Sequence, residues 1–146
     1  WLALDRNNKW VVEALHELAA LWADRVQSGH LRKEDAWLSL TTRERESLEY
    51  PLASLALSEK ECDGIDSILY DAALPALGLC CKFPRDVIQG PLCHQGLGNS
   101  SLYLTMGRKQ IKVLMKHGPS NTLTGRLMQA ACKKHMITLK MINIYR

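Results

Sequence analysis

The sequence predicts a mainly α-helical fold of about five helices in two packed subdomains, and three observations carry that prediction. Apolar residues recur at three- and four-residue steps over most of the 146 residues. Helix-starting and helix-stopping residues punctuate those stretches. Charge then divides the chain at the Cys80-Cys81 pair. Trp1 to Cys81 holds 8 Lys+Arg against 14 Asp+Glu, a net of −6, and Lys82 to Arg146 holds 11 against 1, a net of +10, which together give the formal +4. The division defines an acidic helical subdomain over 1–79, a Pro/Gly-rich connector over 80–98 and a basic helical subdomain over 99–146. A small β-hairpin in the connector and a terminal strand are left open.

Asn7-Asn8 supplies the first helix start and Gly29 the stop, with Val11, Leu15, Leu18, Trp22 and Val26 forming a broad inward face. Arg32 to Glu49 is the second helical stretch, with Trp37, Leu40 and Leu48 apolar and Arg43-Glu44-Arg45-Glu46 expected in solvent. Pro51 lacks the amide hydrogen that would continue it, so the helix ends or kinks near Tyr50. Leu52 to Leu57 is a short apolar segment of no determined type. Ser58-Glu59-Lys60-Glu61 has the capping-box spacing, in which the Ser oxygen takes an early amide and the Glu reaches back. Cys62, Ile65, Leu69 and Ala72 follow as an apolar stripe, and Pro75 with Gly78 is expected to stop this third helix.

Cys80 to Gly98, with Pro84, Gly90, Pro91, Gly96 and Gly98 around Val87-Ile88, reads as an ordered loop. Asn99, Ser100 or Ser101 caps a fourth helix running to His117 and closed by Gly118-Pro119. Asn121 or Thr122 caps a fifth, with Leu123, Leu127, Ala130 and Ala131 expected inward. Ile137 to Ile144 is rich in β-branched residues and fits a terminal strand.

Composition excludes several classes. An apolar fraction of 47% spread along the chain argues against disorder. No run approaches the ~18 apolar residues of a membrane span, so no membrane partner is expected. Five cysteines at irregular spacing argue against a secreted disulfide framework and for an intracellular, reducing compartment, the nucleus included. Beginning Trp-Leu-Ala-Leu without Met, the chain reads as a fragment or a processed product. There is no His-Glu-x-x-His, Gly-x-Ser-x-Gly or Gly-x-x-x-x-Gly-Lys-Ser/Thr, and Gly96-Leu97-Gly98 reads as a turn. No cofactor is expected. Cys80, Cys81, Cys93 and His94 are adjacent pairs whose side chains diverge, so small buried thiols are preferred to zinc ligands.

The sharpest candidate is cationic. On a helical wheel Arg108, Lys109, Lys112 and Lys116 fall within an arc of about 100°, with Thr105 among them. Arg126, Lys133 and Lys134 lie outward on the next helix. Only Asp86 could answer any of these charges from within the basic half. Cations on one face without acid partners suit the backbone of a nucleic-acid duplex, contacted without reading its sequence. Stacking aromatics are scarce in residues 99–146, with only Tyr103 and Tyr145. The competing expectation is a helical protein–protein module whose basic half docks on an acidic partner, or on the acidic half of the same chain.

Several short pieces in one order resemble a known family. They are Leu2-Ala3-Leu4-Asp5-Arg6-Asn7-Asn8; Gly29-His30-Leu31 with Asp35-Ala36-Trp37-Leu38; Leu48-Glu49-Tyr50-Pro51-Leu52; and Ala73-Leu74-Pro75 with Gly78. Gly90-Pro91 with Gln95-Gly96-Leu97-Gly98 follows, then His117-Gly118 and Thr122-Leu123-Thr124-Gly125-Arg126-Leu127. Across nearly its whole length the chain is similar to the segment after the palm in reverse transcriptases of non-LTR retrotransposons. Arg6 departs from an expected Gly, and Ser100-Ser101 from a more typical Pro-Asn helix start. The resemblance implies a thumb-like element that grips the template–primer, an RNA–DNA or DNA duplex, beside an upstream palm domain. The family's catalytic aspartate pair has no counterpart here, so the segment is expected to be a non-catalytic part of an RNA-directed DNA polymerase.

Overall fold

A computed structural model describes residues 8–29 and 31–138, with side chains described to Lys133. It is mainly helical, with no strand among the described residues. The elements are α1 (Lys9–Ser28), α2 (Lys33–Leu38), α3 (Arg45–Glu49), α4 (Glu59–Leu77), α5 (Arg85–Gln89), α6 (Leu102–His117) and α7 (Leu123–Thr138). A π-helical turn, Ser39–Glu44, joins α2 to α3 without a break, so they form one continuous rod. By contact density the chain divides into two compact units, Trp1–Gly107 and Arg108–Arg146. The division falls inside α6, and the residues of the Pro/Gly-rich connector belong to the first unit.

The first unit is built on α1 against α4. Leu15, Ala19, Trp22, Ala23 and Val26 bury one face of α1, and Cys62, Ile65, Leu69, Ala72 and Ala73 bury the facing stripe of α4. Leu18, expected inward, is exposed, because the small Ala19 and Ala23 allow the close approach instead. The capping box at the start of α4 forms both ways: Glu61 N–H donates to Ser58 Oγ at 3.3 Å, and Ser58 N–H donates to Glu61 Oε2 at 2.7 Å. Those bonds hold the Glu61 carboxyl below its ordinary range.

Pro75 does not end α4, which runs two residues further. Gly78 ends it, in the left-handed conformation at φ 78°, with Gly78 N–H on Pro75 O and Leu79 N–H on Leu74 O. That pair of bonds is the Schellman closure, and it needs a residue free to take positive φ. Proline at position 75 removes only one donor from a turn already closing.

Buried positions along the α2–α3 rod run Ala36, Leu40, Arg45, Leu48. The five-residue step from Leu40 to Arg45 is the mark of the π turn, which re-aims everything after it by one residue. Arg45, expected in solvent, is therefore turned into the core and is 5% exposed. It meets Asp66 of α4, which is fully buried: Arg45 Nη1 donates to Asp66 Oδ1 at 3.0 Å. Glu49 Oε1 lies 3.4 Å from Arg45 Nε. The other Asp66 oxygen accepts the Leu102 amide at 2.9 Å, satisfying an otherwise orphaned donor at the start of α6. Burial pushes the Asp66 carboxyl upward, and the Arg45 charge with the Leu102 amide pulls it back. One carboxylate thus locks the rod, α4 and the N-terminus of α6 together.

The connector holds no β-hairpin. It forms the short helix α5 and a 3₁₀ turn, Leu92–His94, closed by Leu97 N–H on Val87 O at 2.9 Å and Asn99 N–H on Ile88 O at 3.0 Å. Ile88 buries against Tyr70 and Leu74 in a second small cluster, and Arg85 Nη2 donates to Ser67 Oγ at 2.6 Å. Gly96 packs its Cα edge onto the Gly90 carbonyl, where any Cβ would collide. The predicted terminal strand is corrected at its start, since residues 137 and 138 continue α7; the remainder, 139–144, lies outside the described residues.

Candidate nucleic-acid interface

Ser101 caps α6: the Leu104 amide donates to its Oγ at 3.2 Å, with Leu102 and Met106 buried below. Past Gly107 the helix carries its cations. Arg108, Lys112 and Lys116 are exposed at four-residue steps, a rise of about 6 Å between neighbours along the axis. Lys109 is half-buried at the edge of the same arc. Thr105, placed in the arc by the wheel, is buried in the first unit and adds nothing to the exposed face. Lys116 and His117 occupy the last turn, where positive charge also answers the helix dipole.

The turn after α6 is tightly held. Ser120 Oγ donates to His117 O at 2.6 Å, and the Gly125 amide donates to Thr122 Oγ1 at 3.3 Å, so Thr122 caps α7. Gln129 Nε2 reaches back to Gly118 O at 2.6 Å. Gly125 is buried against the Ser120 and His117 carbonyls, where a side chain would have no room. Arg126 and Lys133 are exposed on α7; Lys134 lies in its C-terminal half, its side chain outside the described residues.

Residues 108–146 contain nine Lys+Arg and no Asp or Glu, a net of +9, against ten and fifteen, a net of −5, in residues 1–107. The cations of the second unit therefore have no carboxylate within it. That arrangement can hold a polyanion by charge.

Hydrophobic exposure in the second unit is the feature the wheel did not foresee. Leu123 and Leu127, expected inward, are 73% and 62% exposed, and Ala130 and Ala131 are exposed with them. On α6 Ile111, Leu114 and Met115 are exposed as well. An amphipathic pattern marks which face is apolar; it does not say whether the chain supplies a cover for it.

The rest of the described surface is chemically quiet. Among the described residues no three His, Cys, Asp or Glu side chains are placed to share a metal ion. Cys62 is buried, its thiol pushed up to about 11, and Cys80, Cys81, Cys93 and Cys132 are exposed. An open apolar groove of about 370 Å³ lies between Trp37, Leu77, Leu79 and Leu97, with Lys33 and Glu34 at its rim. No described helix is long and apolar enough to cross a membrane. No family model matches the chain, and neither a curated protein nor a solved structure does.

Proposed function

We propose that the chain is a non-catalytic nucleic-acid-binding segment that grips a duplex by its phosphates, in the manner of the thumb of a retrotransposon reverse transcriptase. The observation that supports this reading is the exposed row Arg108, Lys112 and Lys116 on one face of α6, in a unit without a single carboxylate. Lysines and arginines so placed release counterions when phosphates lie along them, and the attraction is independent of base sequence. Lys109, Arg126, Lys133 and Lys134 supplement the row. The likeness to the reverse-transcriptase segment supplies the substrate class: an RNA–DNA or DNA duplex presented by a palm domain.

The test is binding of an RNA–DNA hybrid as a function of salt. Reversing Lys112 and Lys116 to Glu weakens binding and flattens the plot of log affinity against log salt by about one unit per lost contact. Binding that survives reversal of Arg108, Lys109, Lys112 and Lys116 together contradicts the assignment.

A further inference from the structure

We propose that α7 is also a docking site for a protein partner: an acidic amphipathic helix, laid along Leu123, Leu127, Ala130 and Ala131, whose carboxylates pair with Arg126 and Lys133. The inference goes beyond duplex binding: it rests on the apolar residues of α7 and shares Arg126 and Lys133 with the phosphate-binding reading. On the wheel the four apolar residues cover about 100°, Arg126 and Lys133 flank them on one side, and Lys134 follows within the same arc one turn further along. Spacing of i, i+4, i+7 and i+8 is the pattern by which helices recognise helices.

Among the described residues of this 16-residue helix only Gly125 is buried, while Leu123, Leu127, Ala130 and Ala131 are exposed. Helices of that length are marginal in water unless an apolar face is packed.

Charge selects the occupant. A second copy of the unit would bring +9 against +9. A partner bearing Asp or Glu beside its apolar edge turns the same cations into an attraction. Residues 108–138 contain no Trp, Tyr or Phe, so the aromatic anchors of an interfacial helix in lipid are missing. Ala130 and Ala131 add little to a bilayer, yet they allow a second helix backbone to come close. No Phe, Tyr or Trp stands on α7 to stack a base.

The experiment uses the full chain and three probes: a synthetic helical peptide with a Leu/Ala edge flanked by Glu, the same peptide with Lys in place of Glu, and phosphatidylserine-containing vesicles. Fluorescence anisotropy should show the Glu peptide bound, at least about tenfold more tightly than the Lys peptide. The double variant L123Q/L127Q should lose about tenfold or more of that affinity, while R126Q/K133Q should weaken its salt dependence. Affinity of L123Q/L127Q for an RNA–DNA hybrid should be unchanged, which separates this site from the phosphate-binding row. Both leucines are exposed, so helical circular dichroism should be retained. The proposal is overturned by equal binding of the two peptides, by no binding of either, or by indifference to L123Q/L127Q. Vesicle binding lost in L123Q/L127Q overturns it in favour of a lipid surface. A stable low-salt dimer lost in the same variant overturns it in favour of a second copy.

Discussion

Leu69 on α4 and Leu127 on α7 occupy similar positions, each in the apolar stripe of a helix flanked by polar residues, and they meet opposite fates. Leu69 is fully buried against α1, whereas Leu127 is 62% exposed. The same contrast holds for charge. Arg45 of the first unit is sealed in the core on Asp66, but the cations of the second unit have no carboxylate within residues 108–146. The first unit buries the facing stripes of its two long helices against each other. The second presents exposed apolar residues beside its cations.

The comparison breaks first at Asp66. Replacing it with Ala leaves the Arg45 guanidinium buried without its partner and frees the Leu102 amide, a loss of about 4 kcal/mol in urea unfolding. Leu69→Ala in the closed core should cost about 3 kcal/mol. Leu127→Ala in the open unit should stay within about 0.5 kcal/mol. Comparable losses at Leu69 and Leu127 would erase the distinction between the units.

A pH effect sharpens it. Burial pushes the Tyr70 hydroxyl up to about 12, with the Asp66 charge adding to the rise. An unfolded tyrosine ionises near 10, so between about 10 and 12 the unfolded state gives up its proton first. Stability from Tyr70 is therefore complete below pH 10 and is lost as pH climbs towards 12. Tyr70→Phe should flatten that alkaline loss, read by denaturant midpoints across the range.

Much of this was legible in the sequence where the cause is local. The Ser58–Glu61 box, the stop at Gly78, the Cys62-Ile65-Leu69-Ala72 stripe and the caps at Ser101 and Thr122 each depend on a few adjacent residues. The cation arc of α6 was legible too, because helical period alone sets it. Arg45 was not, because the π turn shifts the phase of the rod and nothing in Arg43-Glu44-Arg45-Glu46 marks the shift. Its signal lay elsewhere: Asp66 stands inside the apolar stripe of α4, where an acid needs a buried cation. Five-residue α5 is too short for periodicity to separate from a turn. Leu123 and Leu127 failed for a different reason, since a pattern of residues fixes an apolar face and cannot name its cover.

Matched charge reversal in the two units is the most direct measurement. Titrated with an RNA–DNA hybrid at low salt, the full chain carrying K60E and K82E in the first unit should bind as tightly as the unaltered chain. The full chain carrying K112E and K116E in the second should bind far more weakly and with a shallower salt dependence. Equal weakening by the two pairs would mean that total charge, and not the row on α6, holds the duplex.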